Sequence, residues 1–193
     1  MRIILIRHFL TKGNLEKRYI GRSDESLLDS GIKNIHEEIK YPDTGLVYSS
    51  PLKRCIQTAR LIYGTDREIR TNDSLSEMDF GDFEGKNYEE LKDIEEYRLF
   101  IDSGGVRQIP NGENAESFKK RSCDGFLQVV EDVLTEKSES AAIVCHGGTI
   151  MSIMEHFDPD KKSFYTYMVK NGCGYILEYD TKTSVFVKTD KLM

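Results

Sequence analysis

Short apolar runs occur at intervals along the chain and predict the strands of a buried sheet. The first run covers residues 3–6, and similar runs follow at 46–48 and 141–145. A continuous apolar run of this length is typical of a strand that is covered on both faces, as in a parallel sheet. Ile69 marks a further, weaker candidate strand.

A different pattern closes the chain. Residues 175–179 and 184–188 flank a polar turn at 180–183. Two such segments around a turn predict a β-hairpin, which would add antiparallel strands at the margin of the sheet.

Apolar residues between the strands recur at helical spacing. One predicted helix starts at a capping residue, Asp29 or Ser30, and ends near residues 41–42. Its apolar face consists of Ile32, Ile35 and Ile39. A second predicted helix opens at Ser50, with Pro51 in its first position, and closes at Gly64.

Two more helices complete the pattern. A long one begins at Asn114, and another follows His146, where apolar residues resume at 150–154. The acidic and aromatic segment at 74–85 has no clear period and is predicted to be a loop. Strands that alternate with helices predict an α/β protein, a three-layer α/β/α sandwich with a mostly parallel central sheet and an antiparallel edge. We expect one domain over residues 1–193.

The charge and the apolar content of the chain limit the classes of partner that we expect it to bind. The 27 Lys and Arg residues are outnumbered by 33 Asp and Glu residues, for a net charge of −6. This balance opposes nonspecific attraction to nucleic acid or to an anionic membrane. No apolar run reaches the roughly 18 residues of a membrane span, so we expect a cytoplasmic protein. An anionic ligand would therefore need a local cluster of arginines.

The four cysteines, Cys55, Cys123, Cys145 and Cys173, are far apart in the sequence and have no C-x-x-C spacing. They predict reduced, packed thiols rather than a zinc site. Cys145 precedes His146 and could be a thiol nucleophile, but a small residue that closes a buried strand is the simpler interpretation.

Charged residues lie where the predicted strands end. Arg7 and His8 follow the first strand, and His146 follows a later one. In open α/β sheets, ligands bind at the carboxyl ends of the strands. Arg54 lies near the start of a helix, where the interaction of a cation with the helix dipole is unfavourable by ~0.3–1 kcal/mol. An anion bound at this position would make the arrangement favourable. With Glu77, these residues predict a phosphate pocket.

Four ordered motifs carry a family resemblance. They are RHFLTKGN at 7–14, SSPLKRCIQTA at 49–59, LSEMDFGDFEG at 75–85 and VCHGG at 144–148. Arg18, Gly21, Asp24, Leu27 and Gly31 follow the same pattern. The chain resembles the histidine phosphatase superfamily, the phosphoglycerate mutase-like group. The segment at 110–114 with Arg121, and the short chain, are similar to its small α-ribazole phosphatase-type members.

The resemblance implies a role for each matched residue. His8 would be the nucleophile that forms a phosphohistidine, and Glu77 would be the general acid and base. His146 would join them as a catalytic group that stabilises the phosphoryl oxygens. The implied phosphate-binding residues are Arg7, Asn14, Arg54 and Gly147, and the implied substrate contacts are Phe9, Leu10, Ile20 and Gly21.

On chemistry alone, three other acids of the same loop compete with Glu77, namely Asp79, Asp82 and Glu84. The resemblance implies no cofactor and no metal. A metal hydrolase built on His8, His146 and Glu77 is the rival interpretation. It is disfavoured because Arg7 would repel a divalent cation and no H-x-H or H-E-x-x-H spacing occurs.

The match fails at two positions beside the nucleophile. Phe9 replaces the glycine that normally follows the histidine, and Leu10 replaces the usual Glu or Gln. Either this turn keeps a negative φ or the local geometry has shifted. The Phe9 ring could block the pocket, or Phe9 and Leu10 could form an apolar wall against an aromatic part of the substrate.

Three functions remain open. The first is a phosphomonoesterase that acts on a small phosphorylated metabolite, for which α-ribazole phosphate is a candidate. The second is a phosphoglycerate mutase, which the short chain disfavours. The third is a noncatalytic module that binds a phosphorylated ligand, supported only by Phe9 and Leu10. The expected partner is a small-molecule phosphate ester, with no nucleic acid or membrane, and a homodimer is an open alternative for the assembly.

Overall fold

The computed structural model describes residues 1–30, 32 and 39–193. A mixed sheet runs through the described part, with strand order β3-β2-β4-β1-β5-β6. The strands are β1 (Arg2–Arg7), β2 (Leu46–Ser49), β3 (Arg70–Thr71), β4 (Ser140–Cys145), β5 (Gly174–Asp180) and β6 (Val185–Leu192). The pairs from β3 through β1 are parallel, whereas β5 is antiparallel to β1 and β6 to β5. The predicted sheet and its antiparallel hairpin edge are confirmed.

The described helices are α1 (Lys12–Leu15), α2 (Lys53–Tyr63), α3 (Tyr88–Leu91), α4 (Glu95–Asp102), α5 (Ala115–Thr135) and α6 (Gly147–Phe157). The long helix α5 begins where predicted, and Asn114 is its N-cap, because its side chain accepts from the N–H groups of Glu116 and Ser117. Most of the predicted helix that carries Ile32 and Ile35 lies outside the described residues. Within the described ranges, no helix has the length and apolar character needed to cross a bilayer.

Alternating side chains of the central strands divide the core into two clusters. Ile3 and Leu5 of β1 face one side, where they pack with residues of α5 and α6. Ile4 and Ile6 face the other side, where they join Cys55 of α2. Each fully buried side chain of this kind contributes roughly 1.5–3 kcal/mol to folding. The two clusters lie on opposite faces of the sheet, which gives the predicted three layers. Polar residues follow the ends of the strands.

The start of α2 differs from the prediction. The helix begins at Lys53, and Leu52 is the N-cap with no side-chain bond. Ser50 is still extended because its N–H donates to the carbonyl oxygen of Val144 at 3.0 Å, which continues the pairing with β4. Asp24 Oδ1 instead accepts from the N–H of Lys53 at 2.7 Å. Gly64 ends the helix as predicted, with φ of 93°.

A third apolar cluster packs above one end of the sheet. It includes Met78, Phe83, Tyr97, Phe100 and Phe118. The segment predicted as a loop contributes two short 3-10 turns, Asp73–Leu75 and Gly81–Phe83. The short helices α3 and α4, which were not predicted, complete this cluster.

Candidate functional site

The predicted site residues converge at the carboxyl ends of β1, β2 and β4. The N–H of His8 donates to the carbonyl oxygen of Cys145 at 3.0 Å. The rings of His8 and His146 lie edge to face, with centroids 5.2 Å apart. Two imidazoles that are distant in sequence therefore meet where a parallel sheet normally binds its ligand.

Arg54 anchors the same cluster from the first turn of α2. It is only 1 % exposed. Its terminal nitrogens donate to the carbonyl oxygens of Ser23 at 2.6 Å and Gly21 at 2.8 Å. Its Nε donates to His146 Nδ1 at 3.2 Å. These carbonyl groups partly offset the unfavourable position of a cation at a helix start.

The hydrogen bond of His8 defines its tautomer. Nδ1–H donates to the carbonyl oxygen of Phe9 at 2.6 Å, so Nε2 of the neutral ring carries a lone pair. Burial lowers the pKa of His8 well below its ordinary value, and the charges of Arg54 and Arg7 lower it further. The unprotonated form of His8 is therefore favoured at neutral pH.

His146 has the opposite tautomer. Its Nδ1 accepts from Arg54, so the neutral ring carries its proton on Nε2, which donates to the Ser50 hydroxyl at 2.8 Å. Burial and then the charge of Arg54 lower the pKa of His146 well below its ordinary value. His146 is thus a neutral hydrogen-bond donor beside His8. Ser50 was predicted only as a helix cap, so its contact with His146 was not foreseen.

Arg7 has an unused donor inside the site. One terminal nitrogen donates to the carbonyl oxygen of Val169 at 2.8 Å. Its Nε is buried and has no hydrogen-bond partner. Burial lowers the pKa of Arg7, and the nearby carboxyl group of Glu77 opposes this shift. An unpaired donor on a buried cation is a costly arrangement that an anionic ligand would relieve.

Glu77 is held against the start of α6. Its two oxygens accept from the N–H groups of Met78 and Gly148, each at 3.0 Å. Removal of the carboxyl group from water raises the pKa of Glu77, against the effect of these bonds and of both arginines. A Cβ at Gly148 would lie 2.4 Å from Glu77 Oε1, so any larger residue there would displace the Glu77 carboxyl group. The N–H of Gly148, which follows the predicted phosphate ligand Gly147, thus donates to Glu77.

The three competing acids have other partners. Asp79 forms an ion pair with Arg22 at 3.0 Å, and Asp82 accepts from the amide of Asn111. Glu84 accepts from the N–H groups of Gly21 and Ser23. This distribution places Glu77 in the site and the other acids in the supporting loop.

Asn14 lies at the edge of the site through a contact that the sequence analysis missed. The amide of Asn171 donates to Asn14 Oδ1 at 3.0 Å and to the carbonyl oxygen of His8 at 3.0 Å. Because both the Asn171 amide and the N–H of Thr11 use Asn14 Oδ1, the Asn14 Nδ2 donor is left for other groups. The contact joins residues 163 positions apart, so it could not be found from spacing in the sequence.

We expect Asn171→Ala to lower kcat by about 10- to 100-fold with a smaller change in KM, because the turn that carries His8 loses its support. Steady-state kinetics on one phosphate ester measure this split. Asn87→Ala is the matched control, since Asn87 caps α3 and its loss costs about 1 kcal/mol of stability. Equal losses of kcat in both variants would show that Asn171 has only a structural role.

The residues that follow His8 do not form the expected wall. Phe9 is 0 % exposed, and its ring packs against Tyr41 with centroids 6.3 Å apart. Its φ is not positive, which is how a phenylalanine fits where the resemblance expects glycine. The N–H of Phe9 donates to the Thr58 hydroxyl at 2.9 Å. Leu10 is half-buried and pairs through its carbonyl oxygen with Leu28.

The ring of Phe9 is thus directed into the core rather than into the pocket. Ile20 and Gly21 reach the site through their carbonyl oxygens, which accept from Arg54. None of the four predicted substrate contacts lines the cavity beside Glu77, which has a volume of about 750 Å³. That cavity opens from Arg7, Glu77 and the α6 start toward the third apolar cluster.

The cysteines agree with the predicted packed thiols. Cys55, Cys123 and Cys145 are buried, Cys173 is partly exposed, and all four are free. Burial raises the pKa of Cys145 well above its ordinary value, which disfavours a thiolate nucleophile. Among the residues described, no three His, Cys, Asp or Glu side chains are grouped to hold a metal ion.

Two imidazoles beside the buried guanidinium group of Arg54 and the half-buried one of Arg7, at the strand ends of this α/β sheet, suit the binding of a phosphate ester. The sequence model of the histidine phosphatase superfamily (branch 1) matches residues 3–191. The chain therefore belongs to this superfamily, as the motifs predicted.

Several proteins of known name are similar to this chain in sequence or in structure. Phosphoglycerate mutase-like protein 4 of Arabidopsis thaliana is 32% identical over 168 residues, which cover 83% of this chain and 72% of that protein. The adenosylcobalamin/alpha-ribazole phosphatase of Escherichia coli is 27% identical over 190 residues, or 94% and 92% of the two chains. The crystal structure of the alpha-ribazole phosphatase from Shigella flexneri superposes with a TM-score of 0.81 at 25% identity, and covers 96% of this chain and 93% of that one.

Proposed function

We propose that this protein is a phosphomonoesterase that hydrolyses a small phosphorylated metabolite through a phosphohistidine, without a metal ion. The observation that carries the proposal is the tautomer of His8, whose Nδ1–H is committed to the Phe9 carbonyl group. Its Nε2 lone pair is held beside the cations Arg7 and Arg54. A neutral imidazole next to two guanidinium groups suits attack on a phosphoryl group.

In the first step, His8 Nε2 attacks phosphorus in line and the bond from phosphorus to the ester oxygen breaks. The protonated carboxyl group of Glu77 gives its proton to the departing alcohol. The unpaired Nε–H of Arg7 supports its role as a phosphate ligand. Arg7 and Arg54, together with Asn14 and the N–H of Gly147, donate to the phosphoryl oxygens as charge spreads over them. His146 donates its Nε2–H to a phosphoryl oxygen in place of the Ser50 hydroxyl.

In the second step, water attacks the phosphohistidine and the N–P bond breaks. The Glu77 carboxylate, formed in the first step, takes the proton of that water. Inorganic phosphate leaves, and both His8 and Glu77 return to their starting states. The raised pKa of Glu77 supports this exchange, because a buried carboxyl group is more readily protonated near neutral pH.

For the substrate, α-ribazole phosphate is the proposed candidate, supported by the name of the E. coli relative and its coverage of nearly the whole chain. The proposed partner is thus a small-molecule ester. A phosphoglycerate mutase and a binding-only module are the alternatives that the experiment must separate.

The test measures phosphate release from α-ribazole phosphate, p-nitrophenyl phosphate and 3-phosphoglycerate in the presence of a chelator. We expect hydrolysis to continue after metal removal and expect radioactive phosphate to be trapped on the quenched protein. Loss of activity with the chelator, restored by a divalent cation, would contradict metal independence. Isomerisation of 3-phosphoglycerate without phosphate release would favour the mutase, and no turnover of any ester would favour the binding module.

A further inference from the structure

The guanidinium group of Arg121 lies against the segment that carries Glu77, and all five of its N–H donors have partners. Nε donates to Glu113 Oε1 at 2.9 Å. One terminal nitrogen donates to Glu113 Oε2 at 2.8 Å and to the carbonyl oxygen of Glu77 at 3.4 Å. The other donates to the carbonyl oxygens of Ser74 and Ser76, each at 3.0 Å. Arg121 therefore binds the backbone that leads into Glu77 and has no donor left for a ligand.

Two helices hold the same segment, residues 74–77. The Thr149 hydroxyl of α6 donates to the carbonyl oxygen of Ser76 at 3.3 Å. On the α5 side, a Cβ at Gly125 would lie 2.8 Å from the Cβ of the first residue of the segment, so the segment packs directly on that helix. Arg121 also belongs to α5, and its side chain is only 28 % exposed. The segment is thus fixed against both helices, and Arg121 provides three of the bonds to its carbonyl groups.

Glu113 extends this support to the other side of Glu77. Its carboxylate forms a bidentate pair with Arg121 and accepts from the N–H of Asp79 at 3.4 Å. Its own N–H donates to the carbonyl oxygen of Asp79 at 2.9 Å. A bidentate pair between arginine and a carboxylate has a defined relative orientation. The Glu113–Arg121 pair thus holds the backbone both before and after Glu77.

The position of the Glu77 carboxyl group depends on this backbone. Of the two N–H groups that bond to the carboxyl group, that of Met78 belongs to the adjacent residue and moves with it. The other, from Gly148, ties the side chain to α6. One bond of this kind does not fix the carboxyl group unless the backbone is also held. A general acid must lie within hydrogen-bond reach of the leaving oxygen, and a displacement of ~1 Å can lower the rate by about 100-fold.

From these contacts we infer that Arg121, oriented by Glu113, is a positioning residue for the general acid, because it places the Glu77 carboxyl group within reach of the leaving oxygen. This role rests on the proposed function, in which Glu77 protonates the departing alcohol. Arg121, whose donors are all committed, acts through Glu77 rather than on the phosphoryl group. Its loss should therefore impair proton transfer to the leaving group more than the attack by His8.

Arg121→Met tests this role with two esters that differ in their need for a proton. Butyl phosphate has a poor leaving group that must be protonated, whereas p-nitrophenolate leaves without a proton. We expect kcat/KM for butyl phosphate to fall by about 30- to 100-fold, and kcat/KM for p-nitrophenyl phosphate to fall by less than about threefold. Equal losses for the two esters would overturn the inference.

Arg70→Met is the matched control. The side chain of Arg70 is also 28 % exposed, and it bonds to Glu68 and Glu136, two carboxylates outside the segment 74–77. Its loss removes a comparable set of ion pairs, but it should leave the ratio of the two kcat/KM values unchanged. A ratio that shifts equally in the Arg70 and Arg121 variants would overturn the inference.

Arg121→Lys keeps the test decisive if Arg121→Met does not fold. Lysine retains the charge, but it has three donors in place of five and cannot form the bidentate pair with Glu113. We expect the ratio of kcat/KM for p-nitrophenyl phosphate to that for butyl phosphate to rise by about three- to tenfold, and thermal unfolding checks that the fold is intact. In that case an unchanged ratio would overturn the inference.

A double variant shows whether Arg121 acts through Glu77. Arg121→Met added to Glu77→Gln should change the ratio of the two kcat/KM values by less than about twofold, because no carboxyl group remains to be placed. A further change of about tenfold would overturn the inference.

The two proposals fail in different ways. Equal losses for the two esters in Glu77→Gln would contradict the proposed general acid and with it the role of Arg121. A selective loss for butyl phosphate in Glu77→Gln, together with equal losses in Arg121→Met, would overturn only the role of Arg121.

Discussion

His8→Ala is expected to lower kcat for every phosphate ester by at least ~1,000-fold, because the methyl group has no lone pair to form the N–P bond. Arg7 and Arg54 remain, so the variant should still bind inorganic phosphate, and competition by phosphate should persist in a binding assay. Steady-state kinetics measure the first effect, and trapping of radioactive phosphate on the quenched protein measures the chemical step. Trapping should be lost completely.

His156→Ala is the matched control for this variant. His156 is an exposed histidine of α6 whose ring packs beside Phe157, with centroids 4.6 Å apart. It should trap phosphate as the unaltered protein does. Trapping that survives in His8→Ala, or that disappears in His156→Ala, would contradict the assignment of the nucleophile. Thermal unfolding of both variants checks that the fold is intact.

The sheet could be predicted because its strands are buried on both faces. The apolar runs at 3–6 and 141–145 became the paired central strands β1 and β4. The polar turn at 180–183 became the connection between β5 and β6. In these segments, burial and turn chemistry are local signals, so a single sequence contains them. The family motifs then gave the superfamily, which the comparison confirms.

Long-range contacts could not be predicted in the same way. Asp24 bonds to the first N–H of α2 across 29 residues, and Asn171 bonds to the carbonyl group of His8 across 163 residues. Neither contact leaves a periodic or compositional signal. The helices α3 and α4 were missed for a related reason: they are short, and packing in the third apolar cluster supports them more than propensity does.

The position of Phe9 shows why an unusual residue beside a catalytic one can mislead. From the sequence, the ring could face the pocket or the core, because the side chains of adjacent residues in an extended segment point in opposite directions. The bond from the Phe9 N–H to Thr58 and the packing on Tyr41 direct the ring to the core. The apolar lining of the cavity beside Glu77 comes instead from α4, from α5 and from the segments that contain Phe80 and Phe164.

Glu77→Gln is expected to slow hydrolysis most for those esters whose leaving group needs a proton. An alkyl ester needs a proton on its departing oxygen, so kcat/KM for an alkyl phosphate should fall by about 100- to 10,000-fold. The p-nitrophenolate group leaves without a proton, so the rate of the first step with p-nitrophenyl phosphate should fall less than about tenfold. Asp82→Asn is the matched control, since Asp82 lies in the same loop and bonds to Asn111. Equal losses for the two esters would contradict general-acid catalysis.

The pH profile of the same variant gives an independent test. Protonation of His8 removes the nucleophile at low pH, but its lowered pKa moves this loss further toward acid. Deprotonation of Glu77 removes the general acid at high pH, and its raised pKa moves that loss toward neutral pH. The rate with an alkyl ester should therefore rise and then fall with increasing pH. Because an amide does not titrate, Glu77→Gln should lose the alkaline fall and keep the acid rise. An alkaline fall that persists unchanged would mean that a different group delivers the proton.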